Sequence, residues 1–248
     1  MKIEELKNIA DNYLCKLNSD FLVNNEFIQS QNFTDDENEA LINSKDIGLF
    51  GMSGIIMQPS FITISEEDCE FDFKSDSNIF DVLGYYSKTG LIEEGKIVLN
   101  KKCIEKYAHE LSKKGLKLKS IILPYPYDET IYKIVFLHEL GHWITHWMLD
   151  KDNKRWGDDY WKITPNPNEL LEGLAQLFTY QAILIDPDFI NLKIIFETML
   201  IGQPEPYHQH STILKHKYFS WFNVFNALAE IRLESNPTID SFLYKFNT

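Results

Sequence analysis

The segment His138-Glu139-Leu140-Gly141-His142 lies inside an apolar stretch, and that combination restricts what this chain can fold into more than any other feature. Ile131, Ile134, Val135, Leu137, Leu140, Ile144, Trp147 and Met148 recur at helical intervals, which predicts a mostly buried helix over 131–148. Pro124 and Pro126 disfavour helix before it, while Asp128 and Glu129 offer a capping side chain and first-turn negative charge. Two imidazoles and a carboxylate are costly on such a helix unless something partners them. Residues four apart share one helix face, so His138 and His142 can reach a single metal ion.

Zinc fits that pair best. Imidazole nitrogens bind it at about 2.0–2.1 Å, and a catalytic site keeps three protein ligands and leaves the fourth position to water. Glu139, beside the first histidine, is placed to take a proton from that water. The five-residue pattern arises by chance in on the order of one chain per hundred of this length, so a third donor on another element is needed. Glu172 supplies it. Asn166-Pro167-Asn168-Glu169 reads as a helix start, with Asn166 as cap, proline at the first helical position and Glu169 closing a capping box. Leu170, Leu171, Leu174, Leu177 and Phe178 then form an apolar side, and Glu169, Glu172 and Gln176 share a polar stripe. Small neighbours, Gly173 and Ala175, would let this helix approach the metal helix closely. Glu169 is the rival third ligand.

With His138, Glu139, His142 and then Glu172, Ala175 and Gln176, the chain resembles gluzincin-type zinc metallopeptidases, where a glutamate from a later helix joins the two motif histidines. The resemblance implies an α+β, zincin-like fold. Its N-terminal lobe holds a small mixed sheet and helices, its C-terminal lobe is mostly helical, and the active-site helix lies between them. It also implies that Gln176, four residues past the ligand glutamate, orients the first histidine; gluzincins commonly have aspartate there. The strand before the active helix is expected to border the cleft and hold an extended peptide along its edge, which here points to Lys96-Ile97-Val98-Leu99-Asn100. A histidine or tyrosine should face the developing oxyanion, so Tyr207, His208 and His210, in the turn-rich stretch 202–211, are the candidates. The metzincin pattern fails, because Thr145 and Met148 stand where glycine and histidine would be required. His146 lies eight residues from His138, about 12 Å along a helix, too far to share its ion. Locally the motif also looks like the compact ImmA/IrrE-type regulatory proteases, an alternative alongside a zincin-fold binding protein with a structural or inactive metal site.

The remaining sequence bounds the setting. At 248 residues and 44% hydrophobic content the chain can bury a large core, read as one domain over 1–248 with lobes at 1–127 and 128–248. A net charge of −13 and an acidic stretch from Glu66 to Asp76 argue against a nucleic-acid partner. No apolar run is long enough for a membrane span, and charges occupy the opening residues where a signal peptide would be apolar. Cytoplasmic residence is therefore the expectation, with a peptide or protein substrate as partner. Cys15, Cys69 and Cys103 form no CxxC pair, and the odd count suggests reduced thiols.

Helical spacing of Ile3, Leu6, Ile9, Ala10, Tyr13, Leu14 and Leu17 predicts an opening helix, and that of Ile104, Tyr107, Ala108 and Leu111 another. Strands are expected at 55–64, 79–86 and 96–99, with a further one at 118–123. The aromatic-rich stretch with Trp221, Phe222 and Phe225 reads as a core helix, and almost everything from residue 131 onward as helical.

Overall fold

A computed structural model describes residues 1–24, 61–73, 78–87, 95–114, 117–118, 121–122, 126–147, 169–231, 234–235 and 237–247. In chain order the helices are α1 (Ile3–Asn24), α2 (Ile79–Leu83), α3 (Lys101–Lys114), α4 (Asp128–Trp147), α5 (Glu169–Ile185), α6 (Phe189–Leu200), α7 (Gln209–Lys215), α8 (Trp221–Ile231) and α9 (Ile239–Tyr244). The strands are β1 (Phe61–Ser65), β2 (Gly84–Ser87), β3 (Lys96–Asn100), β4 (Lys117–Leu118) and β5 (Ile121–Ile122). Short 3₁₀ turns occupy Glu205–His208 and Lys245–Asn247. The fold is thus α+β and mostly helical, with a small mixed sheet. No helix among the described residues is long and apolar enough to cross a membrane.

Helix α4 is the axis of the molecule. From Ile134 to His146 every residue is buried, so the helix is enclosed on all sides as its apolar pattern requires. It packs most extensively on α5 and also meets α6, α3, α1, β2 and β3. One contact sets how closely α4 and α5 cross. A Cβ added at Gly141 would lie 2.8 Å from both the Cα and the carbonyl oxygen of Ala175, so the two backbones touch there. Of the two small residues expected to permit that approach, Ala175 does so. Gly173 instead faces α7, where an added Cβ would come within 2.7 Å of Gln209 Cβ. The other end of the core is closed by α1, which buries Leu6, Ala10, Tyr13, Leu14 and Leu17. The Tyr13 hydroxyl donates to the Phe178 carbonyl of α5 at 2.9 Å.

The three-stranded sheet has the order β1-β3-β2, with β1 parallel and β2 antiparallel to β3. Strand β3 is therefore central and has no free edge, contrary to the expectation that Lys96–Asn100 borders the cleft. Order along the chain did not reveal order in the sheet: β2, earlier in sequence, takes the outer place beside α4. The strand expected over 79–86 is also corrected. Ile79–Leu83 is one helical turn and a half, burying Ile79, Phe80 and Leu83, and only Gly84–Ser87 is extended. Its β-favouring composition was overridden by packing, since strand propensity measures fit to a surface more than a backbone preference. Residues 118–123 contribute two very short antiparallel strands instead of one, and the strand expected over 55–64 is described only from Phe61. The expected cap at 166–168 lies outside the described residues.

Cys69 and Cys103 form a disulfide, and Cys15 is free and exposed, so the expectation of three reduced thiols fails for two of them. Parallel pairing explains the meeting. Ser65 and Asn100 are register partners at the ends of β1 and β3, and the chain leaving each strand emerges side by side. Beyond β1 the segment is pinned along α3 by Lys101 Nζ on Glu66 Oε1 at 2.7 Å and by Lys106 Nζ on the Phe71 carbonyl at 2.7 Å. Disulfides persist in oxidising surroundings, so these cysteines no longer favour a reducing compartment.

Candidate metal centre

His138 and His142 project from one face of α4, and Glu172 meets them from the first turn of α5. His138 Nε2 and His142 Nε2 are 3.2 Å apart, and Glu172 Oε2 is 3.4 Å from each. Three donors at about 2.0–2.1 Å from one tetrahedral ion stand about 3.3–3.4 Å from one another. The triangle therefore has the size that a tetrahedral zinc demands. Its chemistry fits too, since two imidazole nitrogens and a carboxylate oxygen form a common zinc donor set. These three side chains are a cluster able to hold a metal ion among the described residues. Glu169 stays on the exposed surface of α5 and does not join them.

Burial makes the arrangement expensive without a cation. His138 is 0% exposed, Glu139 2%, Glu172 6% and His142 7%. Burial would push the Glu172 carboxyl up, yet the charge of His142 and hydrogen bonds from both histidines pull it down to about 2. Burial pushes His142 down, but Glu172, with Glu139 and Asp81 adding their charges, drives it up to about 9. Burial lowers His138, which leaves that ring neutral and ready to ligate. Glu139 is raised to about 8, mainly by burial, although the backbone N–H of Tyr86 donates to its carboxylate. That contact puts the outer strand β2, not β3, against the motif glutamate.

Around the triad, the Phe80 ring lies 4.6 Å from the His138 ring, centroid to centroid, and Tyr207 stacks on Phe80 at 5.8 Å. Tyr207 is fully buried, and its hydroxyl donates to Asp81 Oδ1 at 2.8 Å. The N–H of Ile79 donates to Gln203 Oε1 at 3.2 Å, so α2 is tied to the 203–207 segment at two points. Of the three residues weighed as oxyanion donors, Tyr207 alone packs against a motif histidine, at 5.9 Å between rings. His208 Nε2 pairs with the Gln203 carbonyl and His210 Nδ1 with the Tyr207 carbonyl, each at 3.1 Å. His210 also packs on Phe196 and Tyr180. His146, excluded as a ligand by distance, has its Nδ1 2.6 Å from the Tyr86 hydroxyl and ties the last turn of α4 to β2.

Gln176 does not orient His138. It is fully buried, and among the described residues neither its amide nitrogen nor its oxygen has a hydrogen-bond partner. Three neighbours of the site, Phe80, Asp81 and Tyr86, escaped sequence reading altogether. They fall in a stretch that looked like one uniform strand, and no spacing rule links them to residue 138 or 207.

Compared with models of protein families, with curated proteins and with solved structures, the chain matches none.

Proposed function

We propose that this protein is a zinc-dependent peptidase. The observation that carries the reading is the triangle of His138 Nε2, His142 Nε2 and Glu172 Oε2, with the unligated, buried carboxylate of Glu139 beside it. A structural zinc site needs no such neighbour, because it is closed by protein ligands. Zinc supplies polarisation of the scissile carbonyl and activation of a water nucleophile at neutral pH. Glu139 accepts the proton from the attacking water and returns it to the departing amine, and Tyr86 N–H holds that carboxylate in place between the two transfers. His138 and His142 keep one orientation because α4 is enclosed on every side. Among the described strands, β2 is outermost beside α4 and is the one along whose edge an extended peptide would lie.

The test is zinc content measured together with chelator-sensitive cleavage of a mixed peptide library. Glu139→Gln should keep fold and zinc and lose about 10²–10⁴ in kcat, the share that general acid–base catalysis contributes. Undiminished cleavage by that variant would refute the assignment.

Two observations favour a second reading, a zincin-fold binding protein whose metal site does no chemistry. Among the described residues Gln176 stands unpartnered where a histidine-orienting group belongs, and the Tyr207 hydroxyl spends its proton on Asp81. Bound zinc with no cleavage of any peptide would favour it.

A further inference from the structure

One carboxylate beside the triad points to what the site accepts. Asp81 stands at the surface of α2 with its carboxyl partly buried, which together with the charge of Glu172 raises its pKa, and it is held in place: Tyr207 donates to Oδ1 at 2.8 Å, and Tyr207 is itself wedged against Phe80 and His138. Its charge reaches Glu172, His138 and His142. Among the described residues it has no lysine or arginine partner, whereas the carboxylates Glu66, Asp68, Glu110 and Asp186 each pair with a lysine. A carboxylate fixed by a buried phenol is already oriented, so a cation that binds it does not first have to order it.

We propose that Asp81 anchors a positively charged nitrogen of the substrate beside the scissile bond. This rests on the peptidase reading and extends it to a substrate class: peptides with a free α-amino group or a lysine or arginine side chain next to the cleaved bond. Asp81 is then a specificity residue. Glu139 sets whether a bond is cut, and Asp81 sets which peptides reach it.

The experiment uses the zinc-loaded full chain and three peptides alike in length and sequence: one neutral with an acetylated N-terminus, one with that terminus free, and one acetylated with a single central lysine. Cleavage by the wild type and by Asp81→Asn is followed. Binding of the same peptides is measured on zinc-loaded Glu139→Gln, with and without Asp81→Asn. Asparagine keeps an oxygen for the Tyr207 hydroxyl while removing the charge. The expected result is a preference of about tenfold in KM and Kd for a cationic peptide, shrinking to near parity in Asp81→Asn with kcat moving less than KM. In the wild type alone, added salt should erode the same preference. The free terminus and the lysine peptide separate the two sources of charge. Equal handling of cationic and neutral peptides by the wild type, or a preference that survives Asp81→Asn, overturns the proposal and leaves the peptidase reading standing. Asp81-dependent binding of a cationic peptide with no cleavage sinks the peptidase reading instead.

Discussion

The floor and the wall of the candidate metal centre are built in different ways. The floor is α4 against α5, two enclosed helices whose ligands sit at positions fixed by the helical repeat and whose spacing is fixed by backbone contact between Gly141 and Ala175. The wall is α2 against the 203–208 segment, joined by a ring stack and two hydrogen bonds between residues more than a hundred positions apart. The floor brings the three donor atoms to 3.2–3.4 Å of one another. The wall offers a charge to the outside. Under the peptidase reading, a site so divided would keep its chemistry constant while its selectivity changes, because α2 and the 203–208 segment supply none of the three candidate ligands.

The largest effect that would break this division is on the floor. Glu172→Ala should lower zinc affinity by well over the 100-fold that loss of a merely supporting group can cause, as read by competition with a chelating dye. Next comes pH. In the metal-free chain His142 is raised to about 9 and Glu139 to about 8, so both bind protons more tightly when folded. The His142 contribution is complete below its unfolded value near 6.5 and lost as pH rises through about 9. Glu139 acts in the same direction, from about 4.5 up to about 8. Glu172, lowered to about 2, contributes above about 4.5 and loses its share as pH falls through about 2. Below about pH 6.5 His138 and His210, both lowered by burial, act with the opposite sign, so the melting temperature of the metal-free protein should fall between about pH 6.5 and 9. Zinc must displace the His142 proton, so its affinity should rise about tenfold per pH unit from about 7 to about 9 and then level off. Calorimetry with and without zinc across that range checks both signs.

Smaller still, Gly141→Ala forces a methyl group onto the Ala175 backbone and should cost about 1–3 kcal/mol of stability, with weaker zinc binding because α5 carries Glu172 away. The smallest effect is expected at Gln176. Gln176→Leu should change zinc affinity by less than about twofold and leave stability equal or higher, since the amide it removes is buried without partners. A large loss of zinc would restore to Gln176 the orienting role the gluzincin likeness suggested.

Sequence and structure agree where the information is local. His138, Glu139 and His142 are placed by one helical turn, Glu172 by a polar stripe one turn into the next helix, and the core faces of α1 and α3 by apolar spacing. Agreement ends where placement depends on partners far along the chain. The sheet order that put β2 outside β3, the turn of helix at Ile79–Leu83, the Asp81–Tyr207 bond and the meeting of Cys69 with Cys103 all arise from packing between segments with no periodic signal. Cysteine counting went astray for the same reason. An odd total is silent about two strands that run parallel and end level with each other.

That covalent link encloses a loop of chain. The two cysteines are 34 positions apart, and between them lie α2 with Asp81, strand β2 with Tyr86, and strand β3. A protease that nicks the backbone anywhere inside this ring cannot detach either piece, so the cut protein should migrate as a single species until a thiol reagent is added. Clipping there would leave α4 and α5, with His138, His142 and Glu172, on an uncut stretch and loosen the α2 wall first.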